Sequence, residues 1–349
     1  MSPSTQTQVP VPATEFIDIP KTGLKVSRVA LGTWAMGGWM WGGTDERESI
    51  ATIHAALEQG INLIDTAPVY GFGVAEQIVG AALVGVRTRV VIATKAGLEW
   101  RDGKIYRNAS RDRIMREVDD SLRRLRTDYI DIYQVHWPDP LVRVEETAEA
   151  MRKLFEQGKI RAIGVSNFSV AQMQRFHEVA PLHVLQPPYN LFERAIEARI
   201  LPYCNDNDIV TLGYGALCRG LLSGRMRPDT TFDGDDLRRI DPKFQPPRFA
   251  EYLDAVRQLD EFAQRRFQRR VIHLAVRWML DQGISVALWG GRHPTQVEAA
   301  LGVAGWSLNS ADRARIERIV NTAVLDPVGP EFMAPLDRSQ LPKQAEITS

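Results

Sequence analysis

Eight short apolar runs recur along this chain, with segments of helical periodicity between them. The runs are residues 28–31, 62–65, 89–94, 129–135, 160–165, 183–185, 209–212 and 284–288. They are too short for buried helices and read as strands. Helical stripes are predicted behind them at 45–57, 74–83, 110–126, 144–157, 170–179, 195–205, 249–267, 272–281, 294–301 and 310–320. Asp45 with Glu48 three residues on reads as a capping box. Ile114, Val118, Leu122 and Leu125 share one face of the segment 110–126. Alternation of this kind implies a parallel sheet, and eight units imply a closed (β/α)8 TIM barrel. The barrel is expected to occupy residues 15–335 as one domain. A flexible arm is expected over 1–14 and a polar tail over 336–349, with Pro327–Pro330 closing the ordered part. Residues 218–245, after the seventh strand, are rich in Gly, Pro, Asp and Arg. A loop of that length in an α/β domain is expected to be a functional flap.

Charge and cysteine content narrow the function classes. Lys+Arg and Asp+Glu both number 43, so no bulk charge draws the chain to nucleic acid or an anionic membrane. Cys204 and Cys218 form no close-spaced motif, which argues against a disulfide framework or a zinc site and fits a reducing cytoplasm. No apolar run is long enough to span a bilayer. The first residues lack a positive n-region and an apolar core, so a signal peptide is not expected.

Chemistry is done at the C-terminal strand ends of such barrels. Asp65 closes the second strand and Tyr70 lies just beyond it, Lys95 closes the third, and His136 the fourth. Taken singly, each has an ordinary structural reading as a cap, a rim charge or a packed imidazole. Taken together they make one chemical unit. A free tyrosine titrates near 10, too high for easy proton exchange at neutral pH. A neighbouring ammonium is expected to stabilise the phenolate, and a carboxylate to hold that ammonium. A neutral imidazole can polarise a carbonyl oxygen. Proton transfer to such an oxygen needs a partner reaction at carbon, and hydride transfer is the natural one.

Later strand ends supply candidate cofactor groups. Ser166, Asn167 and Gln186 suit a carboxamide, and Tyr214 offers a face for a nicotinamide ring. The stretch from Gly215 to Gly224 contains Ala216, Leu217, Arg219 and Leu221 and could wrap a pyrophosphate. Gly290, Gly291 and Arg292 lead into a helix N-terminus, a good anion site. Gly32, Thr33, Trp34 and Gln296 complete the candidate cofactor set. No metal-ligand cluster appears, and no GxGxxG follows a strand, so a Rossmann site is not expected. Trp34, Trp39, Trp41 and Trp137 are expected to line the pocket mouth, although packing over the rim would explain Trp39 and Trp41 equally well.

With these residues in view, the chain resembles the aldo-keto reductases from about Leu24 to Pro335. The resemblance rests on Asn62–Ala67 with Tyr70-Gly71, Ala93-Thr94-Lys95, Gln134-Val135-His136, Gly164–Phe168, Gln186–Leu191 and Arg219–Gly224. It implies an NADP(H)-dependent reductase in which Tyr70 is the general acid/base, tuned by Lys95 and Asp65, with His136 orienting the carbonyl. It also implies Ser166, Asn167 and Gln186 on the carboxamide and Tyr214 on the ring. The tail Asp326–Pro335 is similar to a bacterial subgroup that includes NADP-linked glycerol dehydrogenases, which implies a small polar aldehyde or polyol as substrate. Two positions depart from the family pattern: His293 stands where a second cation is common, and Ala300 where an Asn is common. Arg292 still suits a 2′-phosphate. Two other readings remain open: a cofactor-holding regulatory subunit of a membrane or signalling partner, and a Schiff-base aldolase using Lys95. The oligomeric state is left open.

Overall fold

A computed structural model describes residues 14–341. The expected arm therefore lies outside the described residues except for Thr14, as do residues 342–349 of the tail. Eight parallel strands close into a barrel: Val29–Gly32, Leu63–Asp65, Val91–Ala96, Ile130–Val135, Ile160–Ser166, Val184–Gln186, Val210–Gly213 and Val286–Gly290. They are called first to eighth below. The eighth strand closes on the first through Ala287 opposite Val29 to Gly290 opposite Gly32.

Strand periodicity divides the core in two. Ala30, Leu63, Ala93, Ile132, Ala162, Val184, Leu212 and Leu288 fill the barrel interior. The alternate positions, among them Leu31, Ile64, Ile92, Tyr133, Ile163 and Leu185, pack outward against the helices. Both faces are dry, which is why the runs read as continuously apolar rather than alternating. Full burial of one such side chain stabilises by about 1.5–3 kcal/mol.

An antiparallel hairpin of Phe16–Ile19 and Leu24–Ser27 precedes the barrel. Ile19, Leu24 and Val26 join the interior cluster, so the hairpin plugs the end opposite the strand C-termini. The sequence reading had no such element. A second hairpin, Leu98–Arg101 with Lys104–Arg107, follows the third strand. Asp102 (φ 49°) and Gly103 (φ 73°) form its turn, both in the left-handed region. The Asp-Gly pair was the signal that could have found it.

The helices lie close to expectation, but one of them and the end of the ordered chain need correction. The stripe at 195–205 is broken into a 3-10 turn, Ala195–Ala198, and an α-helix, Ile200–Asp206. Pro202 is the cause, since its ring clashes with the carbonyl four residues back and it has no N–H to donate. The chain also does not lose order at Pro330. Leu336 and Asp337 pair with Tyr106 and Arg107 of the second hairpin. Arg107 Nε donates to Pro335 O at 3.0 Å, and Arg338 Nη2 donates to Asp139 Oδ2 at 3.1 Å. The tail's polarity hid this, because a short edge strand is held by backbone ladder bonds rather than by an apolar pattern.

The loop 218–245 is built of three 3-10 turns, Cys218–Ser223, Leu237–Arg239 and Pro242–Phe244. It reaches across to the Trp-rich loop after the first strand. Leu237 N donates to Met40 O at 3.0 Å, and Met40 N to Asp235 Oδ2 at 2.7 Å. It is called the strap below. Among the described residues no helix is long and apolar enough to cross a membrane.

Candidate active site

A cleft of about 950 Å³ opens at the C-terminal ends of the strands. Every site residue named from the sequence lines it except Thr33, Lys95, Leu221 and Gly224. Thr33 is buried, and its hydroxyl and its N–H both donate to the carbonyl of Asp65 at 3.0 Å. Leu221 belongs to the helix-side core, and Gly224 (φ 70°) caps a 3-10 turn of the strap.

Lys95 lies behind the cleft wall with no exposed surface. Its Nζ donates to both oxygens of Asp65 at 2.8 Å, to Thr66 O at 2.9 Å and to Tyr70 Oη at 3.3 Å. An ammonium has three hydrogens, and these three groups take them all. The Tyr70 oxygen is therefore an acceptor, and no group among the described residues takes its own hydrogen. That hydrogen is left to face the cleft. Trp34 stacks on one side of Tyr70, with ring centroids 6.0 Å apart, and the His136 ring stands edge-on at 6.0 Å. The enclosure of Lys95 also shields its nitrogen from a carbonyl ligand, which disfavours the Schiff-base reading.

Electrostatics amend one expectation. Lys95 does not pull the Tyr70 phenol down. Burial, followed by the charge of Asp65, holds it well above its ordinary value. The physical reason is the cost of burying a phenolate, to which the neighbouring Asp65 and Tyr214 oxygens add. Tyr70 is thus a protonated phenol over the neutral range. Burial, with Lys95 nearby, drives His136 well below its ordinary value, so its imidazole is neutral.

The carboxamide candidates form a tight network. Gln186 Nε2 donates to Asp65 Oδ1 at 2.7 Å and more weakly to Gln134 Oε1 at 3.5 Å. With its amide hydrogens so placed, Gln186 Oε1 has no donor among the described residues and is turned to the cleft it lines. Asn167 takes a left-handed φ of 62°, a conformation Asn tolerates better than most residues. Its Nδ2 donates to His136 O and to Ser166 Oγ, each at 3.0 Å, and its Oδ1 accepts from Tyr214 at 2.9 Å. Burial raises the Tyr214 phenol, keeping it neutral.

Arg219 is not a free cation. Its guanidinium pairs with Glu193 and, through Nε at 2.5 Å, with Asp241. Lys243 Nζ completes the buried group at 2.8 Å from Glu193. Two acids and two bases cancel, so Arg219 pins the strap more than it charges the cleft. Arg292 Nη1 donates to Trp41 O at 2.7 Å, and Arg292 N donates to Gln296 Oε1 at 3.0 Å. The helix that follows, Pro294–Glu298, is only five residues long, so its dipole adds less than the sequence suggested.

All four tryptophans line the cleft. Sequence reasoning missed several other walls. Trp289 buttresses the turn after the eighth strand, its indole donating to Gln296 O at 3.1 Å. Phe332 to Leu336 of the tail, Ile105 of the hairpin and Arg238 of the strap also line the cleft. These come from segments far apart in the chain, and no local pattern marks them.

The profile of the Aldo/keto reductase family matches residues 28–321. Aldo-keto reductase YhdN of Bacillus subtilis (strain 168) is 60% identical over 330 residues, covering 94% of this chain and all of that protein. An NADH-specific methylglyoxal reductase of Escherichia coli (strain K12) is 36% identical over 85% of this chain and 95% of its own length. Among solved structures, the glycerol dehydrogenase AKR11B4 from Gluconobacter oxydans superposes with a TM-score of 0.83 at 53% identity, covering 91% of this chain and 99% of that one. An aldo/keto reductase from Klebsiella pneumoniae, solved with NADP and acetate, superposes at 0.66 with 28% identity, covering 85% and 93%.

Proposed function

The chain belongs to the aldo/keto reductase family, and from that premise we propose that it is an NADP(H)-dependent oxidoreductase interconverting short aldehydes with their alcohols, glycerol and glyceraldehyde among them. One observation carries the reading: Lys95 spends its hydrogens on Asp65, Thr66 and the Tyr70 oxygen, leaving the Tyr70 hydrogen to face the cleft.

The cleft fits a nicotinamide dinucleotide. At the barrel-centre end, Gln186 Oε1 offers a free acceptor for a carboxamide N–H, and Tyr214 offers a flat face. On the side formed by the seventh, eighth and first strands stand Arg225, Arg238, Arg270 and Arg292. The buried indole N–H of Trp41 has no acceptor there among the described residues. When bound, such a cofactor supplies the hydride. Gln186, Ser166, Asn167 and Tyr214 would hold its nicotinamide end, and Arg292 its phosphorylated end.

The chain's own residues manage the proton. Neutral His136 hydrogen-bonds the carbonyl oxygen and orients it. Tyr70 Oη donates its proton to that oxygen in reduction and recovers one in oxidation. Lys95 stabilises the phenolate that forms, and Asp65 fixes Lys95. Proton transfer of this kind contributes about 10²–10⁴-fold. The Trp-rich loop, Trp137 and the tail wall exclude bulk water and restrict the carbonyl's size.

The NADP-bound Klebsiella neighbour and the glycerol dehydrogenase neighbour support the cofactor and substrate parts. The test is NADPH oxidation with D,L-glyceraldehyde, with NADH in parallel and Tyr70→Phe beside wild type. Turnover lost in the variant, with cofactor binding kept, is the expected result. Cofactor binding without turnover of any short aldehyde or polyol would sink the enzyme reading and turn attention to a regulatory role.

A further inference from the structure

Two guanidinium groups converge on Trp41 from different elements. Arg292, on the turn after the eighth strand, donates to the Trp41 carbonyl at 2.7 Å. Arg238, on the strap, lies over the Trp41 ring at 5.5 Å and over Phe232 at 4.3 Å. Arg238 also holds Asp236. Arg238 grips it with two parallel bonds, Nε to Oδ1 at 2.8 Å and Nη2 to Oδ2 at 2.5 Å. Burial opposes ionisation of Asp236, yet the bonds from Arg238 and the charges of Arg238 and Arg292 hold its carboxyl below the usual range. His293, next to Arg292, is engaged elsewhere, with Nδ1 2.6 Å from Glu48. The buried Trp41 indole N–H has no acceptor among the described residues.

These facts describe an anion subsite with a built-in anion. One guanidinium fork holds a carboxylate, a second guanidinium acts on it through its charge, and the Trp41 indole donor is unused. We propose that Arg238, carried on the strap, is the second cation of a 2′-phosphate subsite whose first is Arg292, and that Asp236 is the internal carboxylate which a bound 2′-phosphate displaces. This rests on the reading of the chain as a nicotinamide-dinucleotide enzyme. A phosphate dianion matches the guanidinium forks and repays the bonds taken from Asp236 and from the Trp41 carbonyl. A ribose 2′-hydroxyl carries no charge and repays neither. Selectivity for NADP over NAD would then be set by the strap as well as by the eighth-strand turn. Asp236 would limit it, because its charge repels the incoming phosphate.

The test is equilibrium titration of the full chain with NADP+, NAD+ and 2′,5′-ADP, followed by tryptophan fluorescence. Arg238→Gln should weaken NADP+ and 2′,5′-ADP about tenfold or more, as expected for hydrogen bonds to a charged group, and leave NAD+ within about twofold. Arg238→Lys should restore part of the loss, since it keeps the charge without the fork. Asp236→Asn keeps the oxygen that caps Arg238 N and should tighten NADP+ relative to NAD+. If Arg238→Gln weakens both dinucleotides equally, or neither, while wild type binds them, the inference is overturned and the cofactor reading stands. If wild type binds none of the three ligands, the cofactor reading itself fails.

Discussion

Gln186 Nε2 donates to Asp65 Oδ1 at 2.7 Å, joining the sixth strand to the second across the barrel mouth. Those strands stand opposite each other in the closed order. The bond fixes the polarity of the Gln186 amide, because a carboxylate can only accept. It therefore ties the group that would read a carboxamide to the acid that holds Lys95.

Gln186→Leu should accordingly injure two functions at once. Loss of the free acceptor should weaken dinucleotide binding by about 1 kcal/mol, and loss of the donor to Asp65 should lower kcat as well. Gln186→Glu should be worse, since it sets a second carboxylate against Asp65. Unchanged affinity in the leucine variant, measured by titration, would contradict the assignment.

The Lys95–Asp65 pair is wholly buried, with side-chain exposures of 0% and 4%. Lys95→Met should strand a buried carboxylate and destabilise the fold by about 3–5 kcal/mol. The double variant Lys95→Met, Asp65→Leu should recover much of that stability in a denaturant titration while remaining inactive. Failure to recover would mean that the pair stabilises the fold beyond mutual neutralisation.

His136 gives the ligand-free protein a signed pH dependence. Its folded-state value is depressed, so below about 6.5 the unfolded chain binds a proton that the folded chain does not. Its contribution to stability is present above that pH and is lost as pH falls. The slope approaches about 1.4 kcal/mol per pH unit. His136→Asn should remove it, and the difference between wild-type and variant unfolding curves from pH 7 to 5 measures it. Equal slopes would show that His136 protonates as readily in the fold as out of it.

Gly71 follows Tyr70 with φ at +64°, and a Cβ there would overlap the carbonyl oxygen of Gly37. A left-handed non-glycine residue alone costs about 1–3 kcal/mol. Gly71→Ala should therefore push the Tyr70 turn away from the Trp-rich loop. Activity should fall by far more than the change in thermal midpoint suggests, with dinucleotide affinity largely kept. An active alanine variant would show that the turn relaxes without moving Tyr70.

The sequence by itself determined the barrel and the gathering of Asp65, Tyr70, Lys95 and His136 at its mouth. Strands buried on both faces must be continuously apolar, and a polar residue at the end of such a run can only stand at the strand terminus. Local patterns could not carry the rest. The N-terminal plug, the docked tail and the strap's grip on the Trp-rich loop are held by contacts between distant segments, several of them backbone bonds that leave no trace in residue type. Arg219 reads as a cation at a glycine-rich turn, and only packing against Glu193 and Asp241 neutralises it. Gln186 reads as a carboxamide ligand, and only the closure of the barrel places Asp65 where it sets the amide's direction. The charge state of Tyr70 was likewise decided by tertiary structure: an ammonium nearby favours a phenolate, but burial at the barrel mouth and the charge of Asp65 hold the phenol protonated.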